Sequence, residues 1–193
     1  MRTFVAIELD EACRTALARA VDRLKPLAGR AVRWVRPDAM HLTVKFIGEL
    51  RPTDLPVAIE CMQPPAGRVP PFSIEVGGLA AFPPRGAPRV VHVGVHEPTG
   101  ALAALHGELE EALREALGVR REGRRFHAHV TLGRVKDVRG CPPVEAMAAE
   151  QPEARFGIVE VDSFLLMHSE LRPDGPVHTP LHRFALGGAE GGR

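Results

Sequence analysis

The feature that most limits what this chain can fold into is a short motif that occurs twice in matching surroundings: His41-Leu42-Thr43-Val44 and His129-Val130-Thr131-Leu132. An apolar run, Phe4-Val5-Ala6-Ile7, starts 37 positions before His41, and His92-Val93-Gly94-Val95 starts 37 positions before His129. Between run and motif lies a stretch of helical periodicity, carried by Ala16, Leu17, Ala20, Val21 and Leu24 in the first half. In the second half it is carried by Leu102, Leu105, Leu109, Leu113 and Leu117. Two strand–helix–strand units of equal length, each ending in the same motif, predict pseudo-twofold lobes that face one cleft.

The remaining elements follow from periodicity and turn residues. Strands are expected at Thr3–Leu9, Val32–Val35, His41–Ile47 with Gly48 as a stop, Phe72–Val76, Arg89–Val95, Phe126–Val135, Gly157–His168 and His178–Leu186. The first helix should be capped by Asp10 and end near Pro26 and Gly29; the long second one has Thr99 to open it and Gly118 to close it. Short helices are expected within Asp54–Met62 and Val144–Ala149. The proline- and glycine-rich segment Gln63–Pro71 is the natural connection between lobes. Residues 1–186 should then form a single bilobal domain, with Gly187–Arg193 as a disordered tail.

In a strand, alternate side chains share a face, so His41 and Thr43 point one way and Leu42 and Val44 the other, and the second motif repeats the arrangement. Each unit therefore offers one imidazole and one hydroxyl to the same side. Two opposed imidazoles suit cleavage of a phosphodiester, which needs a base to activate the attacking oxygen and an acid to protonate the leaving one. An unperturbed pKa near 6.5 lets one ring be neutral while the other is charged, and the hydroxyls can donate to phosphoryl oxygens as charge redistributes. A rival reading takes His127 and His129 as a His-x-His pair on one strand face, with His41 as a third nitrogen ligand to zinc. No carboxylate motif completes such a site, so a metal-free reaction is the expectation, with His127 beside the reacting ring or facing substrate.

A formal net charge of +1 excludes the general basic excess of bulk nucleic-acid binders, so any RNA contact must be a local patch. Arg120, Arg121, Arg124 and Arg125, just before the second motif, form the candidate. No stretch reaches 18 consecutive apolar residues, which argues against a membrane helix and leaves the cytoplasm as the expected location. Cys13, Cys61 and Cys141 are far apart and suggest neither a thiolate metal site nor a disulfide framework.

The segments Arg33-Trp34-Val35, Met40 to Glu49 and Arg125 to Arg134 resemble the bacterial RNA 2′,3′-cyclic phosphodiesterases, also called 2′-5′ RNA ligases, of the two-histidine phosphoesterase superfamily. The resemblance runs over nearly the whole chain. It implies an α+β fold, bilobal, with two antiparallel β-sheets flanking a central cleft and helices on the outside. It implies a cofactor-independent, monomeric hydrolase acting on RNA ends or small cyclic nucleotides that carry a 2′,3′-cyclic phosphate, and leaving a 2′-phosphomonoester. By motif, His41 would be the proton donor, His129 the proton acceptor, and Thr43 and Thr131 the phosphate ligands, with Arg134 assisting. Phe46, Trp34 and Phe126 are the candidates for stacking on a base. The chain departs from the family's pattern at Ala128, where a proline is usual, at His92, where an aromatic is common, and at His178, which stands in for a tyrosine. Joining of 2′-5′ ends by the same site, and a cleft that grips RNA ends without turnover, are the alternatives.

Overall fold

The computed structural model describes residues 1–123, 125–149, 155–172 and 175–187. The elements, in chain order, are β1 (Arg2–Glu8), α1 (Glu11–Ala28), β2 (Val32–Trp34), β3 (His41–Glu49), α2 (Leu55–Arg68), β4 (Phe72–Phe82) and β5 (Val90–His96). They continue with α3 (Ala101–Leu117), β6 (His129–Val135), α4 (Val144–Ala149), β7 (Arg155–Val161), β8 (Ser163–Arg172) and β9 (Gly175–Ala185). Among the described residues no helix is long and apolar enough to cross a membrane.

The helices form where sequence periodicity and caps agree. In α1 the Asp10 carboxylate accepts from the Cys13 backbone N–H at 2.7 Å, and Leu17, Ala20, Val21 and Leu24 are buried. In α3 the buried stripe is Leu102, Leu105, Leu109 and Leu113. Thr99 shares its capping duty: its hydroxyl accepts from Ala101 N at 3.3 Å, while Glu97 accepts from Leu102 N at 3.0 Å and Gly100 is the cap residue. Gly118 closes the helix in the left-handed region, at φ 67°, with its N–H on the Arg114 carbonyl.

The strands join in one antiparallel sheet of order β7-β4-β5-β6-β3-β1-β8-β9, with β2 on β6 beside β3. The two separate sheets expected from sequence are instead continuous at the bridge between Leu42 and Val130, the one ladder position that β3 and β6 share. Beyond that bridge β2 takes over the same edge of β6, with Trp34 opposite Gly133 and Val32 opposite Val135, so β3 and β6 diverge. Leu42, Val44, Val130 and Leu132 enter the core together with Leu17, Leu105 and Leu109 of the helices. The histidine and threonine side chains therefore lie on the face away from α1 and α3.

Four expectations are corrected. Gln63–Pro71 is not a connection: α2 runs on to Arg68, because Pro65 and Ala66 are buried and the packing outweighs two prolines. Gly157–His168 is not one strand but parts of β7 and β8, broken at Asp162. Gly48 does not stop β3; at φ 89° it lets the strand continue to Glu49. Strand β6 starts at His129 rather than Phe126. Residues 188–193, expected to be a tail, lie outside the described residues.

Candidate active site

The site is built by register. With Leu42 opposite Val130 in an antiparallel pair, His41 falls across from Thr131 and Thr43 across from His129. All four side chains then stand on the same face around one bridge, and all four are half-buried. The ring orientations match as well. His41 Nδ1 lies 2.8 Å from the Ala39 carbonyl oxygen, and His129 Nδ1 lies 2.7 Å from that of His127. A carbonyl only accepts, so each neutral ring keeps its proton on Nδ1 and leaves Nε2 as the basic atom. The Thr43 hydroxyl donates to His41 Nε2 at 3.1 Å.

Both motif strands carry a β-bulge at the same place. Along β3, Thr43 opposes Ala6 and Lys45 opposes Val5, leaving Val44 unpaired; along β6, Thr131 opposes His92 and Gly133 opposes Val91, leaving Leu132 unpaired. A bulge flips the alternation beyond it. Thus Lys45 and Gly133 turn into the interior, while Phe46 and Arg134 return to the face of the histidines, and both are exposed. Phe46, 60% exposed, lies 6.3 Å from Phe4, whose ring stacks on His41. Arg134 is close enough to His129 for its charge to disfavour protonation of that ring. The ladders also correct the repeat: the residue that matches Phe4, by opposing the fifth residue after the histidine, is Val90 and not His92. The apolar pattern slips by two residues, one full pleat, and such a slip leaves every side chain on its proper face.

Lys45 is completely buried. Its ammonium sits 2.8 Å from Glu110 of α3 and 3.6 Å from Glu122, and donates to the Arg120 carbonyl at 3.2 Å. Glu122 in turn accepts from Phe46 N at 3.3 Å, and its own N–H donates to Glu110 at 2.7 Å. This cluster pins the loop that leads to His129 onto the strand that carries His41. Gly133 has a different reason to be where it is. A Cβ there would lie 2.5 Å from Val32 Cγ1 and 2.9 Å from Trp34 Cε3, so glycine is what lets β2 pack against β6.

Burial dominates the electrostatics. It pushes the His41 imidazole down to about 4, with the charges of His178 and His129 adding to the effect and the Ala39 carbonyl opposing it. His129 is also lowered, first by burial and then by the charges of His127 and Arg134, against the His127 carbonyl. Both motif rings are therefore neutral near pH 7.

Of the residues singled out from sequence, His41, Thr43, His129 and Thr131 come together, and Phe46 and Arg134 flank them on opposite sides. His127 is exposed, edge-on to Phe82 at 5.5 Å, and serves His129 through its backbone carbonyl. Among the described residues no group of three or more His, Cys, Asp or Glu is placed to hold a metal ion. The arginine cluster is mostly engaged or outward-facing: Arg121 pairs with Glu111, Arg120 lends its carbonyl to Lys45, and Arg125 is exposed. Arg124 lies outside the described residues. Trp34 packs on Gly133, and Phe126 stacks on His106 of α3 at 4.4 Å, whereas Phe46 stands exposed near the His41 side of the site. Sequence reasoning missed Phe4 and Phe82 beneath the rings and the ionic role of Lys45. Simple alternation puts Lys45 on the face of His41 and Thr43, so nothing in the sequence marks its inward turn.

Residues 13–171 match the 2′-5′ RNA ligase superfamily. An RNA 2′,3′-cyclic phosphodiesterase of Archaeoglobus fulgidus is 36% identical over 95% of this chain and 99% of its own. A protein of the same name from Thermus thermophilus is 36% identical over 99% of this chain and 93% of its own, so the relatives are archaeal as well as bacterial. Among solved structures, TT0787 of Thermus thermophilus superposes with a TM-score of 0.81 at 31% identity, covering 98% of this chain and all of that one. Escherichia coli LigT complexed with 3′-AMP gives 0.72 at 28% identity, covering 96% of this chain and 97% of that one. By its paired His-x-Thr strands and by these likenesses over most of its length, the chain belongs to the 2′-5′ RNA ligase superfamily.

Proposed function

We propose that this protein is an RNA 2′,3′-cyclic phosphodiesterase that opens the cyclic phosphate to a 2′-phosphomonoester by metal-free, cofactor-free acid–base catalysis. The observation that carries the reading is the register at Leu42 and Val130, which gathers two imidazoles with basic Nε2 atoms and two hydroxyls on one face. In the reaction, His129 Nε2 takes a proton from water as its oxygen bonds to phosphorus. His41 Nε2–H gives a proton to O3′ as the P–O3′ bond breaks, leaving a 2′-phosphate and a 3′-hydroxyl. Thr43 and Thr131 hold the phosphoryl oxygens, Arg134 neutralises charge from the His129 side, Phe46 offers a face to the base, and His127 keeps His129 in its tautomer. The relatives named RNA 2′,3′-cyclic phosphodiesterase support the substrate class.

The same reading takes residues 1–186 as one bilobal domain whose halves are pseudo-twofold related about the Leu42–Val130 bridge, with matching bulges as its support. It takes the protein as a cytoplasmic monomer. Support comes from three free thiols, which fit a reducing compartment, and from exposed apolar side chains as scattered as Leu27, Val57 and Ile158. The superfamily's description favours a second reaction at the same site, in which a 5′-hydroxyl replaces water and a 2′-5′ bond forms. The test is a cyclic-phosphate-ended oligonucleotide incubated with and without chelator and with and without a 5′-hydroxyl strand. The expected product is a 2′-phosphate at an unchanged rate in chelator. A 3′-phosphate product, chelator-sensitive turnover, or tight binding without any product would each reject the proposal.

A further inference from the structure

Each motif imidazole is packed against a phenyl ring and a second imidazole. His41 lies over Phe4 with centroids 4.9 Å apart, and His178 of β9 meets both nearly at right angles, 5.2 Å from His41 and 5.0 Å from Phe4. Across the bridge, His92 stacks on Phe82 at 4.1 Å, and His129 lies 5.1 Å from His92 and 4.9 Å from Phe82. The two triangles are assembled differently. His178 comes from the last strand, whereas His92 occupies the ladder position that Ala6 holds in the other half, opposite the motif threonine. Two unrelated positions thus supply the same thing, an imidazole against an imidazole.

The added rings are poorly suited to holding a second proton beside a charged motif ring. Nδ1 of His92 and Nδ1 of His178 are both buried without a hydrogen-bond partner among the described residues, and an imidazolium there would leave a buried N–H unsatisfied. The surroundings offer little compensation. Among the described residues, the charged groups that act on the four rings are the rings themselves, His127 and Arg134, and only the Val93 backbone, beside His92, favours a proton on an added ring. Glu8 of β1, the ladder partner of His41, is held by Arg183 of β9 at 2.5 Å, and Arg33 of β2 brings a further cation against Gly175 at the start of β9. Two imidazolium charges about 5 Å apart in a half-buried site repel by an amount worth roughly one to two pH units.

We propose that His178 and His92 are positioning residues that restrict each side of the cleft to one proton, shared by His41 with His178 and by His129 with His92. This rests on the cleft being the phosphate site. In the empty cleft the more accessible His178 takes its pair's proton ahead of the deeper His41, whose ring is lowered most strongly by burial. A phosphate between the motif rings draws the proton onto His41, the ring that must donate it. Because both rings of the pair are lowered and mostly uncharged near pH 7, that proton comes from solvent, and binding of a phosphate dianion is accompanied by proton uptake.

The test follows the imidazoles of the full chain by NMR from pH 8 to about 3, in wild type, H178F and H129Q, with inorganic phosphate as the probe. In wild type each pair should titrate in two steps separated by more than about one unit. H178F keeps a ring against Phe4 and His41 but removes the competing charge, so the His41 midpoint should rise by about one unit. H129Q should do the same for His92. Calorimetry of phosphate binding in two buffers of different ionisation enthalpy should show proton uptake in wild type and less in H178F. Independent single-step titrations in wild type, a His41 midpoint indifferent to H178F, or binding without proton uptake would overturn the proposal. None of these readouts uses turnover, so an inactive protein with paired titrations rejects the proposed function alone, and an active one with independent titrations rejects this inference alone.

Discussion

The single imidazole sets the pH behaviour. The proposed reaction needs His41 charged and His129 neutral, yet burial brings His41 down to about 4 and lowers His129 as well. Above both midpoints, His129 stays neutral while the charged fraction of His41 falls tenfold for each unit of pH. We expect kcat/KM to have its optimum on the acid side of pH 6.5 and to decline about tenfold per unit above it; an optimum at or above pH 7.5 contradicts this. Stability should respond in the opposite sense. His92, 3% exposed and lowered to about 4 mainly by burial, binds fewer protons folded than unfolded between pH 6.5 and 4. Stability from that neutral ring is complete above about 6.5 and is lost as pH falls toward 4, by on the order of 3 kcal/mol if the shift is taken in full. The H92F variant should therefore lose less Tm than wild type between pH 7 and 5, and equal losses would show that His92 does not titrate this way.

At the scale of strands and loops, the devices that hold the site are the bulges and what they turn inward. Replacing Lys45 by alanine leaves Glu110 and Glu122 facing an emptied core position, and we expect a loss of about 3 kcal/mol in denaturant unfolding. The double change K45M/E110Q should recover much of it, since the one carboxylate left, Glu122, is partly exposed and keeps its bond from Phe46 N–H. For G133A the added methyl meets Val32 and Trp34, and a cost of about 2 kcal/mol is expected together with weakened pairing of β2 on β6. An unaffected midpoint in either single variant would show that the site tolerates the crowding or the charge. This is also the scale at which reading from sequence ran out. The helices and the faces of the motif strands were legible because 3.6- and 2-residue periods are written in the apolar residues. The matching of Phe4 with His92 failed because a two-residue slip preserves every face, and only the ladder reveals Val90 as the partner position. The inward turn of Lys45 was hidden for the related reason that a bulge adds one residue without changing composition. The helical run through Pro64 and Pro65 was hidden because burial of Pro65 and Ala66 is a tertiary fact.

For the whole molecule, the arrangement reduces to one junction. Within one continuous sheet, β3 and β6 meet at a single residue pair and then part, and the duplicated motif lies at that point. His41 and His129 were legible from duplication alone, whereas His178 could not be tied to His41 without the C-terminal hairpin in place, 137 positions further along the chain. The proposed chemistry is performed by two imidazoles together, His41 from one motif strand and His129 from the other. Its most direct test is hydrolysis of a 2′,3′-cyclic-phosphate oligonucleotide by H41A and H129A, each checked for wild-type unfolding behaviour. Either replacement is expected to lower kcat by at least about a hundredfold while the protein stays folded; full activity in either variant would rule out a shared role.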